Sequence, residues 1–402
     1  MVTPTTRRRL VQAFGGGLVV ALAGCTSEGD DDNGDDGHDD HDNGDNENGD
    51  GPGSEGLVYA FGPDAIGIID PEDGELIEEI TDDDLDGSEW GDPRISRNHE
   101  RIFVNEGSRN QLLVVNTENQ EIEEWIDVGG DPTHIYNPVE GEIWTHADDE
   151  GTFYVVDSEE LSVIDEVDIA DGGHGKLLSH DDLGDDAYAM NVTEAAAIGV
   201  DLDAREATDP VELEDAGGTH YKAYAPETGY AYAQQTNGGT AVIDTETNDV
   251  VDVLDFDGGM YLSPDDELLG CILDDEIRFV DATSEESEVV DSVEVDGEPA
   301  ALRFHDSDDG LYAFTANIGS ADVVVIDVDE MEEVDRIDAG EVDGEYRAGV
   351  AGGEYFLTPS DTDGTVTVVD METQELVETV EVADGVDTVQ YVGDSGVGYS
   401  SE

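Results

Sequence analysis

From residue 57 to the C-terminus the chain alternates short apolar runs with polar turns, and one kind of run keeps returning. It is a strand-length stretch ending in Asp or Asn: Ile66–Asp70, Leu112–Asn116, Phe153–Asp157, Ala197–Asp201, Thr240–Asp244, Ile277–Asp281, Val323–Asp327 and Thr365–Asp370. Successive terminal residues lie 46, 41, 44, 43, 37, 46 and 43 apart. Runs this short, rich in β-branched residues and bounded by Asp, Asn and Gly, predict strands rather than helices. A period near 43 residues predicts the four-stranded blade of a β-propeller. Each terminal Asp or Asn is read as a turn residue whose side-chain oxygen accepts backbone N–H groups, not as a catalytic acid or metal ligand.

The ends of the array predict how it closes. Before Asp70 there is room for one strand, Leu57–Phe61, and after the last repeat one strand remains, Thr388–Val392. Pairing these two supplies the first blade with its missing inner strand and removes an open edge. The expected fold is all-β, an eight-bladed propeller over residues 57–402; seven blades would require one repeat to be an insertion.

Residues 1–25 read as an address. Arg7-Arg8-Arg9 precedes an apolar stretch, Ala13 to Ala23, too short to span a bilayer. The stretch ends in Leu22-Ala23-Gly24-Cys25. This resembles a twin-arginine lipoprotein signal, which implies lipid on Cys25 and a place on the outer face of the cell membrane. Residues 26–56 are Asp, Gly, Asn and Glu with almost nothing to bury, so a disordered acidic tether is expected. Within it His38 and His41, flanked by carboxylates, form a candidate weak metal-capture site; incidental histidines in a spacer are the alternative.

Charge narrows the function classes. With 14 Lys and Arg against 105 Asp and Glu, the formal net charge is −91, which excludes a nucleic-acid binder and an anionic membrane surface as partner. Acid excess with only two lysines, Lys176 and Lys222, resembles the haloarchaeal-like proteins of salt-in halophiles, where the acid coat is a solvation device. Cys271 lies in an apolar run and reads as a small buried hydrophobe, so no disulfide is expected.

The candidate chemistry lies in the histidines. Asp131-Pro132-Thr133-His134, Gly172-Gly173-His174 and Gly218-Thr219-His220 open what should be the inner strands of three consecutive blades, 40 and 46 residues apart. Inner strands surround the central channel, so these three imidazoles should converge at one mouth of it. Three neutral imidazoles make a zinc-type ligand set with one position open. A shared ion requires the ring nitrogens to lie within about 6 Å of one another. His146, on the adjacent strand, is the candidate fourth ligand; His180 suits a turn, and His99 and His305 are read as surface or structural. Met260 stands at the corresponding place in the next blade. Affinity is expected to fall as pH drops below the histidine pKa of about 6.5. Lys176 and Lys222 follow His174 and His220 by two residues, where they either offset nearby carboxylates or bind an anion.

Segments such as Val242-Ile243-Asp244-Thr245-Glu246-Thr247-Asn248-Asp249-Val250-Val251 resemble the YVTN-type propeller repeats of secreted proteins, a likeness that covers residue 57 onward and speaks to fold alone. Export, the propeller, His134, His174 and His220, and the His38–His41 tract together resemble the AztD-type extracytoplasmic zinc metallochaperones. That resemblance implies zinc as the bound metal and its delivery to the solute-binding protein of an ABC importer. The departures are a shorter, less histidine-rich tract, a lipid anchor and the acid coat. No Gly-x-Ser-x-Gly elbow, phosphate loop or His-Glu-x-x-His motif is present, so a binding protein rather than an enzyme is expected, and a monomer. A cell-surface scaffold without metal is the alternative; a propeller lyase or hydrolase is a weaker one.

Overall fold

The computed structural model describes residues 53–393 apart from 215–216, 308 and 345–346. Cys25, His38 and His41, with the signal and most of the tether, lie outside the described residues. Ser54, assigned to the tether on sequence, is buried, and its hydroxyl lies 2.8 Å from that of Tyr59.

Eight antiparallel sheets account for the described strands. The third strand of each blade is the recurrent Asp- or Asn-ended run, as in Thr240–Asp244 within the sheet Thr219–Ala225, Tyr230–Gln235, Thr240–Asp244, Asp249–Leu254. The terminal side chain does what its position predicted. Asp244 Oδ1 accepts N–H bonds from Glu246 and Thr247 at 2.9 and 3.1 Å, and Asp157 does the same for Glu159 and Glu160 at 2.9 and 2.7 Å. The bond lets the turn close on a residue of positive φ, such as Asn248 at 57° or Leu161 at 51°.

The inner strands are Thr388–Tyr391, Trp90–Ile95, Pro132–Tyr136, Gly175–Leu178, Thr219–Ala225, Gly259–Leu262, Pro299–Ser307 and Val350–Gly352, for blades 1 to 8. Each packs against the next, and the last packs against the first, so the ring closes around a channel. Closure is made by Val58–Phe61 pairing antiparallel with Thr388–Tyr391, Val58 opposite Tyr391 and Phe61 opposite Thr388. The eight-bladed expectation holds.

The core is a set of apolar seams between neighbouring blades. Phe61 meets Trp90 across blades 1 and 2 at 5.7 Å, Phe279 meets Phe304 across 6 and 7 at 6.3 Å, and Phe314 meets Phe356 across 7 and 8 at 6.1 Å. Arginines tie neighbouring blades as well: Arg205 to Glu142 across blades 3 and 4 at 2.6 Å, Arg97 to the Asn137 carbonyl across 2 and 3 at 3.0 Å, and buried Arg347 to the Asn317 carbonyl across 7 and 8 at 3.1 Å.

Removing residues 386–402 should leave the Val58–Phe61 edge unpaired. The truncated protein is expected to lose cooperative thermal unfolding and to aggregate in size-exclusion chromatography. The single change Asp244→Ala, which deletes only a turn bond, should cost about 1 kcal/mol and leave the protein monodisperse. A truncated chain that melts as cooperatively as the full one would contradict closure by this strand.

Candidate metal centre

Blades 3, 4 and 5 bring His134, His174 and His220 together. One ring nitrogen from each lies within 4.8 Å of the other two, inside the limit a shared ion sets. His134 Nε2 faces His174 Nε2 at 2.9 Å, and the ring centroids of His174 and His220 are 5.1 Å apart. Two nitrogens on one tetrahedral zinc at 2.0–2.1 Å would stand about 3.4 Å apart, so the pair needs only a small separation to admit an ion.

The histidines are not at identical ladder positions, which corrects the expectation of strict register. Pro132 pairs with Ala147, Gly175 with Asn191 and Thr219 with Gln235, all at the same end of the second strand. Relative to these, His134 lies two residues later, His220 one later and His174 one earlier. Bulges after Pro132 and Thr219 absorb the offset, while the strand of blade 4 has none. His174 instead reaches the channel mouth on Gly172 and Gly173, whose φ of 132° and 102° only glycine adopts easily. Asn191 Nδ2 donates to the Gly173 carbonyl at 2.9 Å and holds that turn.

Two carboxylates orient the rings, and sequence reading had named neither. His134 Nδ1–H donates to Asp92 Oδ2 at 2.5 Å, and His174 Nδ1–H donates to Asp148 Oδ2 at 2.7 Å. With both Nδ1 atoms so engaged, the Nε2 atoms, in hydrogen-bond contact with each other at 2.9 Å, are the ones that would turn to a metal, the carboxylate–histidine arrangement common around zinc. A signal for Asp92 did exist: it sits one blade period, 42 residues, before His134 and at the corresponding position of its own bulged inner strand. Asp148 was hidden among the acids of the turn that follows His146.

His146 does not join the cluster of mutually close donors. It is fully buried, its Nδ1–H donates to Asp148 Oδ1 at 2.7 Å, and its ring packs on Phe153 at 4.8 Å. It therefore fixes Asp148, which Thr133 also bonds at 2.8 Å, so that Asp148 can hold His174. His180 caps a short turn by accepting from Asp182 N, His99 lies near Glu55, and His305 lies 3.1 Å from Glu372. Met260 is buried in an apolar cluster with Cys271, whose thiol burial pushes up to about 12, so both are core residues.

Electrostatics favour neutral imidazole. Burial lowers the His134 pKa to about 4, with Lys176 adding to the effect and Asp92 opposing it. Burial likewise lowers His220, to about 2, helped by Lys176 and by the other two histidines. Protons therefore compete for these two ligands well below pH 6.5, a lower window than free histidine predicts. Burial would raise Asp148, but hydrogen bonds from His146 and His174 hold it below the usual carboxylate range. Burial also lowers the Lys176 pKa, and the nearby Asp92 and Asp148 oppose this only in part.

These features define the class: an eight-bladed β-propeller with a three-histidine cluster on its central channel. No family model and no curated protein matches the sequence. Among solved structures the chain is similar to dihydro-heme d1 dehydrogenase NirN in complex with DHE, at 15% identity over 85% of this chain and 76% of that one, with a TM-score of 0.68. It is also similar to AztD from Citrobacter koseri, at 14% identity over 83% and 96% with a TM-score of 0.60. A third is the hydrazine synthase of Kuenenia stuttgartiensis, at 15% identity over 70% and 95% with a TM-score of 0.54. At these identities the likenesses establish the propeller fold and nothing finer.

One glycine tests the architecture of the centre. A Cβ on Gly175 would lie 2.4 Å from His146 Nε2, so Gly175→Ala must displace the buried ring that anchors Asp148. The expected cost is about 1–3 kcal/mol, measured by denaturant unfolding, with loosened packing around His174. A variant as stable as wild type would show that His146 is not held as described.

Proposed function

We propose that the protein is an extracytoplasmic metal-binding propeller that carries one divalent ion, zinc above others, on His134, His174 and His220. The observation that supports the reading is the paired Nε2 atoms at 2.9 Å with each Nδ1 taken by a carboxylate. Zinc suits neutral imidazole in tetrahedral geometry, and three protein ligands leave a position open for exchange. The fold shared with AztD, and the resemblance to AztD-type metallochaperones already noted, extend the reading. In it the protein is a zinc chaperone that passes its ion to the solute-binding protein of an ABC importer. Lipid on Cys25 would keep it at the outer face of the membrane, with His38 and His41 as a weak capture site on the tether. The role is carriage, not catalysis, and the working unit is a monomer.

Elemental analysis after dialysis against trace metals should find one zinc per chain. His134→Ala, His174→Ala and His220→Ala should each weaken binding on the order of 100-fold or more, while His99→Ala and His305→Ala leave it unchanged. Wild type without stoichiometric metal, or with metal unaffected by all three changes, would sink the reading. Delivery is tested in cells: a deletion strain starved of zinc should take up less zinc, restored by wild type and not by His174→Ala.

The anchor has its own measurement. Intact mass of the mature protein should show a diacylglyceryl-modified Cys25 as the first residue, and Cys25→Ser should release the protein from membranes. An unmodified N-terminus downstream of residue 25 would rule the anchor out.

A further inference from the structure

His134 and His220 lie within inner strands, Pro132–Tyr136 and Thr219–Ala225, while His174 stands just ahead of Gly175–Leu178. The chain reaches it through two glycines at positive φ, a segment with many alternative conformations to lose on ordering. What holds those glycines therefore places His174.

Asn191, the last residue of the second strand of blade 4, is fully buried. Its Nδ2 donates to the Gly173 carbonyl at 2.9 Å, and its Oδ1 accepts from Thr193 N–H at 2.8 Å. Thr193 Oγ1 lies 3.0 Å from the Gly172 carbonyl, so both glycine carbonyls are engaged. The backbone of Asn191 reaches blade 5 as well: its N–H donates to Thr219 Oγ1 at 2.9 Å, and Thr219 directly precedes His220. One buried residue thus bonds both the turn that carries His174 and the residue that leads into His220. A buried amide with both ends satisfied is a rigid reference, because breaking either bond leaves a polar group unpaired. Asn191-Val192-Thr193 also has the form of a glycan acceptor, but burial and these bonds keep the side chain inside the fold.

We propose that Asn191 is the positioning residue of the metal centre. It sets the spacing of His174 and His220, and through it the affinity for the ion, without touching the ion itself. The proposal rests on the metal reading above. Residues that orient metal ligands in this way commonly contribute about 10–100-fold in affinity.

The test compares full-length proteins by cobalt(II) titration, with the visible absorption band reporting the coordination shell. Asn191→Leu, close in size but without the side-chain bonds, should bind cobalt about 10–100-fold more weakly than wild type and with a changed band. Asn317→Leu is the control. Asn317 is buried at the corresponding position in blade 7, opposite Pro299 as Asn191 is opposite Gly175. Its loss should lower stability to denaturant but leave the cobalt affinity and band as in wild type. In metal-free protein, amide hydrogen exchange over residues 172–174 should quicken in Asn191→Leu and not in Asn317→Leu. Thr193→Val, on the exposed side of the turn, should weaken cobalt binding about fivefold, as expected for one lost hydrogen bond. It carries the comparison if Asn191→Leu fails to fold.

A folded Asn191→Leu with wild-type cobalt affinity overturns the proposal and leaves the metal site standing. A loss of affinity in Asn317→Leu as large as in Asn191→Leu does the same, since it marks a general effect of destabilisation. Thr193→Val at wild-type affinity also counts against the proposal alone. Wild type that binds no cobalt overturns this proposal and the metal reading together.

Discussion

The structure depends on a strand pair that joins the two ends of the propeller. Thr388–Tyr391 closes onto Val58–Phe61, and only then does each blade have a neighbour on both sides. The seams between blades carry the aromatic core, and no sheet could bury its two faces alone. Closure also makes the channel: inner strands far apart in sequence become the wall of one cavity, and side chains 40 and 46 residues apart become neighbours. The candidate metal centre is a consequence of that wall. It uses three consecutive blades, and its carboxylates come from the inner strand of blade 2 and from the turn after the second strand of blade 3.

The fold was legible because its signals are local and repeated. Eight strands ending in Asp or Asn announce the period, and the side-chain-to-backbone bonds of residues such as Asp157 and Asp244 give the physical reason for that ending. The orphan strand near Val389 announced closure. The convergence of His134, His174 and His220 followed from period alone, because a channel wall tolerates offsets of one or two residues when bulges absorb them. What stayed hidden was pairwise and non-local. His146 sits on a promising strand, yet a strand turns successive side chains to opposite sides, and this one points into the seam with Phe153. Asp148 and Asp92 were two acids among 105, and in so acidic a chain a carboxylate near a histidine carries little information until distances are known.

The same acid background makes the cations informative. Outside the signal the chain keeps eleven Lys and Arg residues. Six arginines have acid, carbonyl or hydroxyl partners: Arg97, Arg101, Arg205, Arg278 and Arg336 on acids or carbonyls, and Arg109 on Ser88 with its guanidinium over Trp125. Arg347 is buried between blades 7 and 8. The remaining four, Arg94, Lys176, Lys222 and Arg303, all lie on inner strands. Solvation cannot account for that segregation, because the outer surface does without lysine altogether. The channel is thus a place where positive charge is retained against the trend of the whole sequence. The histidines share the inner strands with those cations, and among the described residues two carboxylates, Asp92 and Asp148, bond the rings of His134 and His174. A surface carboxylate can attract a cation from a distance, but salt screens that attraction beyond about 10 Å. Any selection between ions at this wall would then be made at contact, by imidazole nitrogen.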